Sequence, residues 1–174
     1  MNYGIYKEAR NASWHCLIEC KIDSLPVQLN IICKHFNVKI LKNSDVEEAF
    51  KLNDERGKVI ISNNEAYIIV DDSKPISVQR YTIAHELGHI LIGQGASEYQ
   101  AERFAIGVLA PACVLWALEA YEPIEIAKIC NISMQSASIR AERMKVLLKR
   151  NKFLTSNLER QVFEQFKDFI DRSK

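Results

Sequence analysis

The sequence predicts an α+β fold that is mostly helical, with a small antiparallel sheet beside a pair of helices. Apolar residues recur three and four positions apart along most of the chain, which is the period of amphipathic helices. Two β-branched runs, residues 58–61 and 66–70, flank a turn-forming segment at residues 62–65, and this pattern predicts a β-hairpin. The 174 residues contain no internal repeat or low-complexity linker, so one domain, or one domain with a small appendage, is expected.

The predicted elements follow one another closely. A first helix is expected around residues 7–20, and a second helix begins at Pro26, with Leu29, Ile32 and Phe36 on its apolar side. Residues 38–41 form a short strand, and residues 71–75 end the sheet after the hairpin. The rest is helical: one helix is expected to begin directly after residues 71–75 and to end at residue 92, others are expected at residues 97–109, 112–121 and 157–171, and a helix-turn-helix-like pair is expected at residues 123–150.

Composition and charge limit the class of protein. The net charge is +1, so the chain as a whole has no electrostatic attraction to nucleic acid or to a membrane surface. No run of 18 apolar residues is present, and the first residues do not resemble a secretory signal. The five cysteines are odd in number and form no C-x-x-C pair, which favours buried thiols. A cytoplasmic location is therefore expected.

The most specific motif is His-Glu-Leu-Gly-His at residues 85–89, on a predicted helix. Two histidines four positions apart lie on the same face of a helix, so both imidazoles can bind one Zn²⁺ ion. Glu86 points about 100° away around the helix axis, where it can act as a general base toward a water molecule that the metal acidifies. The alternative is a surface helix that carries two histidines by chance, and the apolar residues Ile83, Leu87 and Leu91 on the same helix argue against it.

A catalytic zinc site needs a third protein ligand, and the next helix offers two carboxylates. Glu98 and Glu102 are four residues apart, share a helix face and follow Ser97, a suitable N-cap. From spacing alone either carboxylate could reach the metal, and both could instead be solvated or paired with a neighbouring cation.

The two predicted helices together resemble the ImmA/IrrE family of zinc metallopeptidases. Residues 80–92 read RYTIAHELGHILI, and the family follows this helix with the pattern E-x-E-A-[ND]-x-F-A-x-x-L-L-M-P. Residues 98–111 read EYQAERFAIGVLAP, which keeps the first Glu, the Ala, the Phe-Ala pair, one Leu and the final Pro. The chain departs from the pattern at Gln100, Glu102 and Ala110. The resemblance extends over roughly residues 25–150 and is sharp across residues 80–111.

The resemblance implies a site and an activity. His85, His89 and Glu98 would hold Zn²⁺, and Glu86 would activate water. Glu102 is the alternative third ligand, or a residue that supports a ligand histidine by a hydrogen bond. Family members typically cleave a helix-turn-helix transcriptional repressor, often of a mobile element, a prophage or a stress regulon. A zinc-dependent endopeptidase with a protein substrate is therefore expected, and an edge strand near the metal could bind an extended peptide.

The helix-turn-helix-like segment supports a different hypothesis, a DNA-binding transcriptional regulator with a structural or vestigial metal site. Six basic residues and one acidic residue lie between residues 140 and 152, as in a helix that contacts phosphates. ImmA/IrrE-like proteins commonly carry a similar segment, however, so we expect it to belong to a peptidase domain at residues 1–150, followed by a helical tail at 151–174. Nucleic acid is then not expected as a partner. A third hypothesis is a toxin–antitoxin or scaffolding module that binds partners through this tail.

Two expectations follow for the helix-turn-helix-like segment. Its apolar residues should dock on the helix after Pro111, and its basic residues should be replaceable by Gln without loss of folding. The apolar residues are Ile126, Ile129, Ile132, Ile139 and Met144, and the basic residues are Arg140, Arg143, Lys145 and Lys149.

Overall fold

The computed structural model of the protein describes residues 3–63, 65–93 and 95–174, and the predicted α+β class is confirmed. Asn64, in the predicted hairpin turn, lies outside the described residues. The strands are β1 Val38–Lys42, β2 Gly57–Ser62 and β3 Glu65–Val70. The helices are α1 Tyr3–Glu19, α2 Leu29–His35, α3 Ile76–Ile92, α4 Glu98–Leu109, α5 Ala112–Ala117, α6 Pro123–Cys130, α7 Met134–Lys149, α8 Asn157–Gln165 and α9 Lys167–Ser173.

The three strands form a mixed sheet in the order β1-β3-β2. The predicted hairpin is confirmed, since β2 pairs antiparallel with β3 and Val59 lies opposite Ile68. The prediction of a wholly antiparallel sheet is wrong, because β1 pairs parallel with β3 and Val38 lies opposite Ala66. A parallel pair needs a long crossover, which the chain provides through two 3-10 turns, Asn43–Asp45 and Glu48–Phe50, and through β2 itself. No local turn signal specifies that pairing.

Helix α4 lies at the centre of the helical layer, with α3 and α1 packed against it. Phe104, Val108 and Leu109 are fully buried, and they share one core with Leu17 of α1 and Leu87 of α3. A buried helix that contacts two neighbours is fixed both in position and in rotation about its axis. The side chains at the start of α4 are therefore held relative to α3.

Several helix boundaries differ from the predicted ones. Helix α1 begins at Tyr3 rather than near residue 7, and the single helix predicted at residues 157–171 is divided at Phe166 into α8 and α9.

The helix predicted to begin at Pro26 begins after Gln28, whose backbone is extended at φ −85° and ψ 94°. Helix α5 is shorter than predicted because Glu119 has a positive φ of 56° and the Ala120 N–H donates to the Leu115 carbonyl at 3.0 Å. A left-handed residue with this backbone hydrogen bond ends a helix.

The helix-turn-helix-like segment forms α6 and α7, joined by a turn in which Asn131 is left-handed (φ 51°, ψ 55°). Ile126, Ile132 and Met144 are buried in the common core, but the segment does not dock mainly on the helix after Pro111 as expected: α6 and α7 pack chiefly against each other, and α7 only lightly against α5. Ile139 was expected to be buried as well, but this prediction is wrong because 44% of its surface is exposed. It lies on the side of α7 that faces away from the core.

The expectation that Arg140 can be replaced without affecting the fold is not supported by its position. Arg140 is only 6% exposed, and its Nη2 donates to the Ile106 carbonyl of α4 at 2.6 Å. A helix places residues three and four positions apart on one face, so Arg140 and Met144 face the core together. Lys145 and Lys149 lie on exposed parts of α7.

The C-terminal helices pack against the rest of the chain. Val162, Phe166 and Ile170 are buried in the same core as the residues of α1 and α4. The side-chain amide of Gln165 donates to the carbonyls of Leu17 and Ile22, at 2.8 Å and 2.6 Å. The apolar stripe of the tail is thus covered by the protein itself. Among the described residues, none of the helices has the length and apolar character that crossing a membrane requires.

Candidate metal centre

The two histidines of the motif lie side by side on α3. Their Nε2 atoms are 3.2 Å apart, and the ring centroids are 5.0 Å apart. Their side chains are 16% and 26% exposed for His85 and His89, so the imidazoles open toward solvent while the helix behind them is buried. The four-residue spacing produces this arrangement, as the sequence predicted.

Helix α4 brings Glu98 to the same point. One carboxylate oxygen lies 3.1 Å from Nε2 of His85, and the other lies 3.3 Å from Nε2 of His89. Among the described residues, His85, His89 and Glu98 form the one group whose ligand atoms could hold a metal, and these atoms all lie within 4.8 Å of one another. Two imidazoles and a carboxylate are a donor set that Zn²⁺ and other divalent cations accept. The residues present therefore fit a bound divalent metal.

The start of α4 is fixed by a capping box. The Ser97 hydroxyl accepts the Gln100 N–H at 3.3 Å, and the Gln100 side chain accepts the Ser97 N–H at 3.0 Å. The side-chain nitrogen Nε2 of Gln100 also donates to the carboxylate of Glu8 in α1 at 3.0 Å. Gln100, one of the departures from the family pattern, thus anchors the turn that carries Glu98.

Gly88 allows α3 and α4 to approach closely. A Cβ atom at this position would stand 3.0 Å from the Ala101 Cα and 3.2 Å from the Ala101 carbonyl oxygen, which are backbone atoms of α4. Gly88 is not among the residues that the motif predicts to form the site. A signal was present, because glycine in the middle of a helix costs about 1 kcal/mol relative to alanine and so indicates a packing requirement.

Glu86 is half-buried beside the histidines. Burial raises the pKa of its carboxyl group, while His85 and His89 act to lower it and Glu98 acts to raise it. The first residue of β2, Gly57, packs beside it: a Cβ on Gly57 would overlap the Thr82 methyl group and lie 3.7 Å from the Glu86 Cγ. The missing side chain at Gly57 therefore lets an edge strand reach α3 next to Glu86.

Glu102 does not belong to the cluster of ligand atoms. Its carboxylate lies 3.9 Å from the Arg103 guanidinium. Burial raises the pKa of Tyr81, and the negative charge of Glu102 raises it further. A recess of about 550 Å³ is lined by Glu102, Tyr81 and Arg103, together with Arg56 and Lys74. The Tyr81 ring lies 6.3 Å from the His85 ring, centroid to centroid, so one wall of this recess is adjacent to His85.

The other histidines and the cysteines lie elsewhere. His35 contacts Glu19 at 2.9 Å on the surface, and all five cysteines are free and buried. Cys16 and Cys20, beside His15, do not form a metal-binding group within the part of the chain that the structure describes. The sequence favours buried cysteine thiols, and the structure agrees with this expectation.

A family model described as Peptidase_M78, IrrE N-terminal-like domain, matches residues 33–142. The chain belongs to this metallopeptidase family. Comparison with curated proteins and with solved structures gave no match. The M78 match covers the sheet, α3 to α6 and most of α7, and it includes the whole metal-centre motif. Helices α1, α8 and α9 lie outside the matched segment but share its core.

Proposed function

We propose that this M78-family protein is a zinc-dependent endopeptidase in which His85, His89 and Glu98 hold Zn²⁺ and Glu86 is the general base. The observation that carries the proposal is the convergence of the three ligand side chains within 4.8 Å, next to a half-buried carboxylate. When bound, the ion would polarise the scissile carbonyl and acidify a water molecule.

Glu86 is suited to accept and return a proton. Glu86 is adjacent to the ligand His85 and half-buried, so its carboxylate is positioned to accept a proton from the attacking water. The same carboxyl group can then donate that proton to the amine that leaves when the peptide bond breaks. His85 and His89 flank this group from one rigid helix, which limits the reorganisation needed between the two transfers.

Strand β2 supports the binding of an extended peptide. It lies at an edge of the sheet and begins beside Glu86. A substrate segment added to that edge would use main-chain hydrogen bonds, and its side chains would alternate between the two faces. The recess at Tyr81 is lined by the cations of Arg56, Lys74 and Arg103. Lys74 also contacts Asp71 at 3.4 Å and Arg103 contacts Glu102 at 3.9 Å, so one positive charge remains in excess. We propose that it receives an acidic side chain of the substrate.

For the biological substrate, we propose a helix-turn-helix transcriptional repressor in the cytoplasm. The support for this class is family membership, because ImmA/IrrE-like peptidases typically cleave such repressors.

The test is a comparison of wild-type protein with Glu86→Gln. Both should bind one equivalent of metal, because the ligands are unchanged, whereas cleavage of the repressor encoded beside the gene should fall about 10²–10⁴-fold in the variant. Glu142→Gln, the same chemical change on an exposed position of α7, should cleave at the wild-type rate. Wild-type cleavage by Glu86→Gln would show that Glu86 is not the base. Absence of cleavage by the zinc-loaded wild-type protein, on this repressor and on a peptide library, would reject the peptidase function.

A further inference from the structure

A second pocket, of about 210 Å³, lies between α1, α4 and α7; its lining contains none of the metal-centre residues, and it shares Arg103 with the recess at Tyr81. Its walls carry an unusual excess of positive charge, with one carboxylate, Glu159, among them. The cationic side chains that line it are Arg10, Arg103, Arg140, Arg143, Arg150 and Lys152. They come from three helices and from the segment after α7, so the fold rather than one local run of sequence assembles the cluster.

Within the described residues, most of these cations have no acidic partner. Among the lining cations that the structure describes, only Arg103 forms an ion pair within 4.0 Å, with Glu102 at 3.9 Å. Burial raises the pKa of Glu159, and Arg10 lies near enough to this carboxyl group to act against that rise. The single carboxylate in the wall, Glu159, accepts a hydrogen bond from the Thr155 N–H at 3.0 Å instead. A cluster of like charges that is partly removed from water is unfavourable unless a counter-charge joins it.

Several arginine N–H groups at the bottom of the pocket are not hydrogen-bonded to any described residue. Nη2 of Arg140 donates to the Ile106 carbonyl, but Nε of Arg140 is buried and has no hydrogen-bond partner among the described residues. The same holds for Nε of Arg103 and of Arg143. Buried polar groups are almost always hydrogen-bonded, so three unpaired guanidinium donors around one pocket indicate an acceptor that binds there.

Aromatic side chains stack against three of the guanidinium groups, including that of Arg103, which lies 5.1 Å from the centroid of the Tyr99 ring. The Arg10 guanidinium lies 4.6 Å from the centroid of the Trp14 ring, and that of Arg143 lies 5.0 Å from the Tyr6 ring.

Stacking fixes the plane of a guanidinium group while its N–H groups donate at the edge. In Arg10, Nε and Nη2 already donate to the Asn11 side-chain oxygen at 3.3 Å and 3.0 Å, whereas Nε of Arg143 has no partner among the described residues. The pocket is thus preorganised for an anion with several oxygen atoms.

We propose that this pocket binds a small phosphate ester through its arginine cluster. A phosphate monoester carries about −1.5 to −2 charges at pH 7 and three acceptor oxygens, which matches several guanidinium groups arriving from different sides. A pocket of 210 Å³ is below the range of about 300–1,000 Å³ for drug-sized ligands, so the organic part is small. The buried arginines of α7, which suggested DNA binding, serve this pocket rather than a duplex.

Binding is tested by calorimetry and thermal unfolding with inorganic phosphate and with glycerol 3-phosphate, at constant ionic strength set with chloride. Acetate, a singly charged oxyanion, is the control ligand. Saturable one-to-one binding is expected for both phosphates. Their Kd should be at least about tenfold lower than that of acetate, because acetate forms fewer charge-assisted hydrogen bonds. Tighter binding of glycerol 3-phosphate identifies an ester as the ligand, and equal binding identifies the phosphate group alone as sufficient. No saturable binding of either phosphate would overturn the proposal.

Matched variants locate the site. Arg150→Gln combined with Lys152→Gln removes two exposed cations from the rim, so folding should be retained while phosphate binding weakens by about tenfold or more. Lys145→Gln combined with Lys149→Gln makes the same change in charge on exposed positions outside the lining, and binding should be unaffected. Equal weakening by the two pairs would mean that net charge alone attracts phosphate, and the proposal would be wrong.

Two further measurements complete the test: a variant that should bind phosphate more tightly, and competition with duplex DNA. Glu159→Gln removes the one carboxylate of the wall and should tighten phosphate binding. Duplex DNA should neither bind with a steep salt dependence nor displace phosphate. Displacement of bound phosphate by DNA, or a weaker phosphate affinity in Glu159→Gln, would reject a small-anion pocket.

Discussion

Substitution of Gly88 by Ala tests whether the close contact between α3 and α4 sets the metal centre. The new Cβ would stand 3.0 Å and 3.2 Å from backbone atoms of Ala101, so α4 would have to move by a few tenths of an ångström. In an isolated helix this substitution gains about 1 kcal/mol. Overpacking against backbone typically costs about 1–3 kcal/mol. We therefore expect a net loss of up to about 2 kcal/mol, with a fall in Tm of about 2–4 °C for each kcal/mol lost.

The effect on the metal centre should exceed the effect on stability. Glu98 belongs to the first turn of α4, and metal–ligand distances are tolerated within only about 0.2 Å. A displacement of a few tenths of an ångström should therefore raise the Kd for Zn²⁺ by about tenfold or more, which corresponds to about 1.4 kcal/mol. Metal affinity is measured by competition with a chromophoric chelator, and stability by thermal unfolding of the metal-free protein.

Gly107→Ala is the matched control. A Cβ at Gly107 would overlap the Ser13 side chain of α1, on the side of α4 that faces away from the metal centre. This variant should also lose stability, but its Zn²⁺ affinity should stay at the wild-type value. If Gly88→Ala gains about 1 kcal/mol of stability and keeps its affinity for zinc, the close approach at Gly88 has no role in the site.

Three further predictions concern the metal centre and its support. Glu98→Ala should empty the site, whereas Glu102→Ala should keep about one equivalent of metal; the reverse result in metal analysis would exchange their assigned roles. At a free zinc concentration 100-fold above Kd, bound zinc should stabilise the folded protein by about 2.7 kcal/mol. A chelator that removes the zinc should therefore lower the Tm, and an unchanged Tm would argue against a bound metal. Gln100→Ala should cost about 1 kcal/mol in thermal unfolding, because it removes the capping box with Ser97 and the contact with Glu8.

Local interactions made much of this fold predictable from sequence. The spacing of His85 and His89 placed both imidazoles on one face of α3, Ser97 marked the start of α4, and the β-branched runs around residues 62–65 specified the hairpin. Helix periodicity, N-capping and tight turns are determined by residues a few positions apart, so they can be read along the chain. The motif also assigned the family, which the match to residues 33–142 then confirmed.

Only the tertiary structure decided which distant residues meet. Strand β1 pairs parallel with β3 across a long crossover, and α4 turns Glu98 rather than Glu102 toward the histidines. Arg140 lies in the basic pocket rather than on the surface because its side chain reaches across to α4, where Nη2 donates to the Ile106 carbonyl. Helix rotation depends on the shapes of both packed surfaces, such as the gap that Gly88 leaves for Ala101, and the period of one helix does not contain that information.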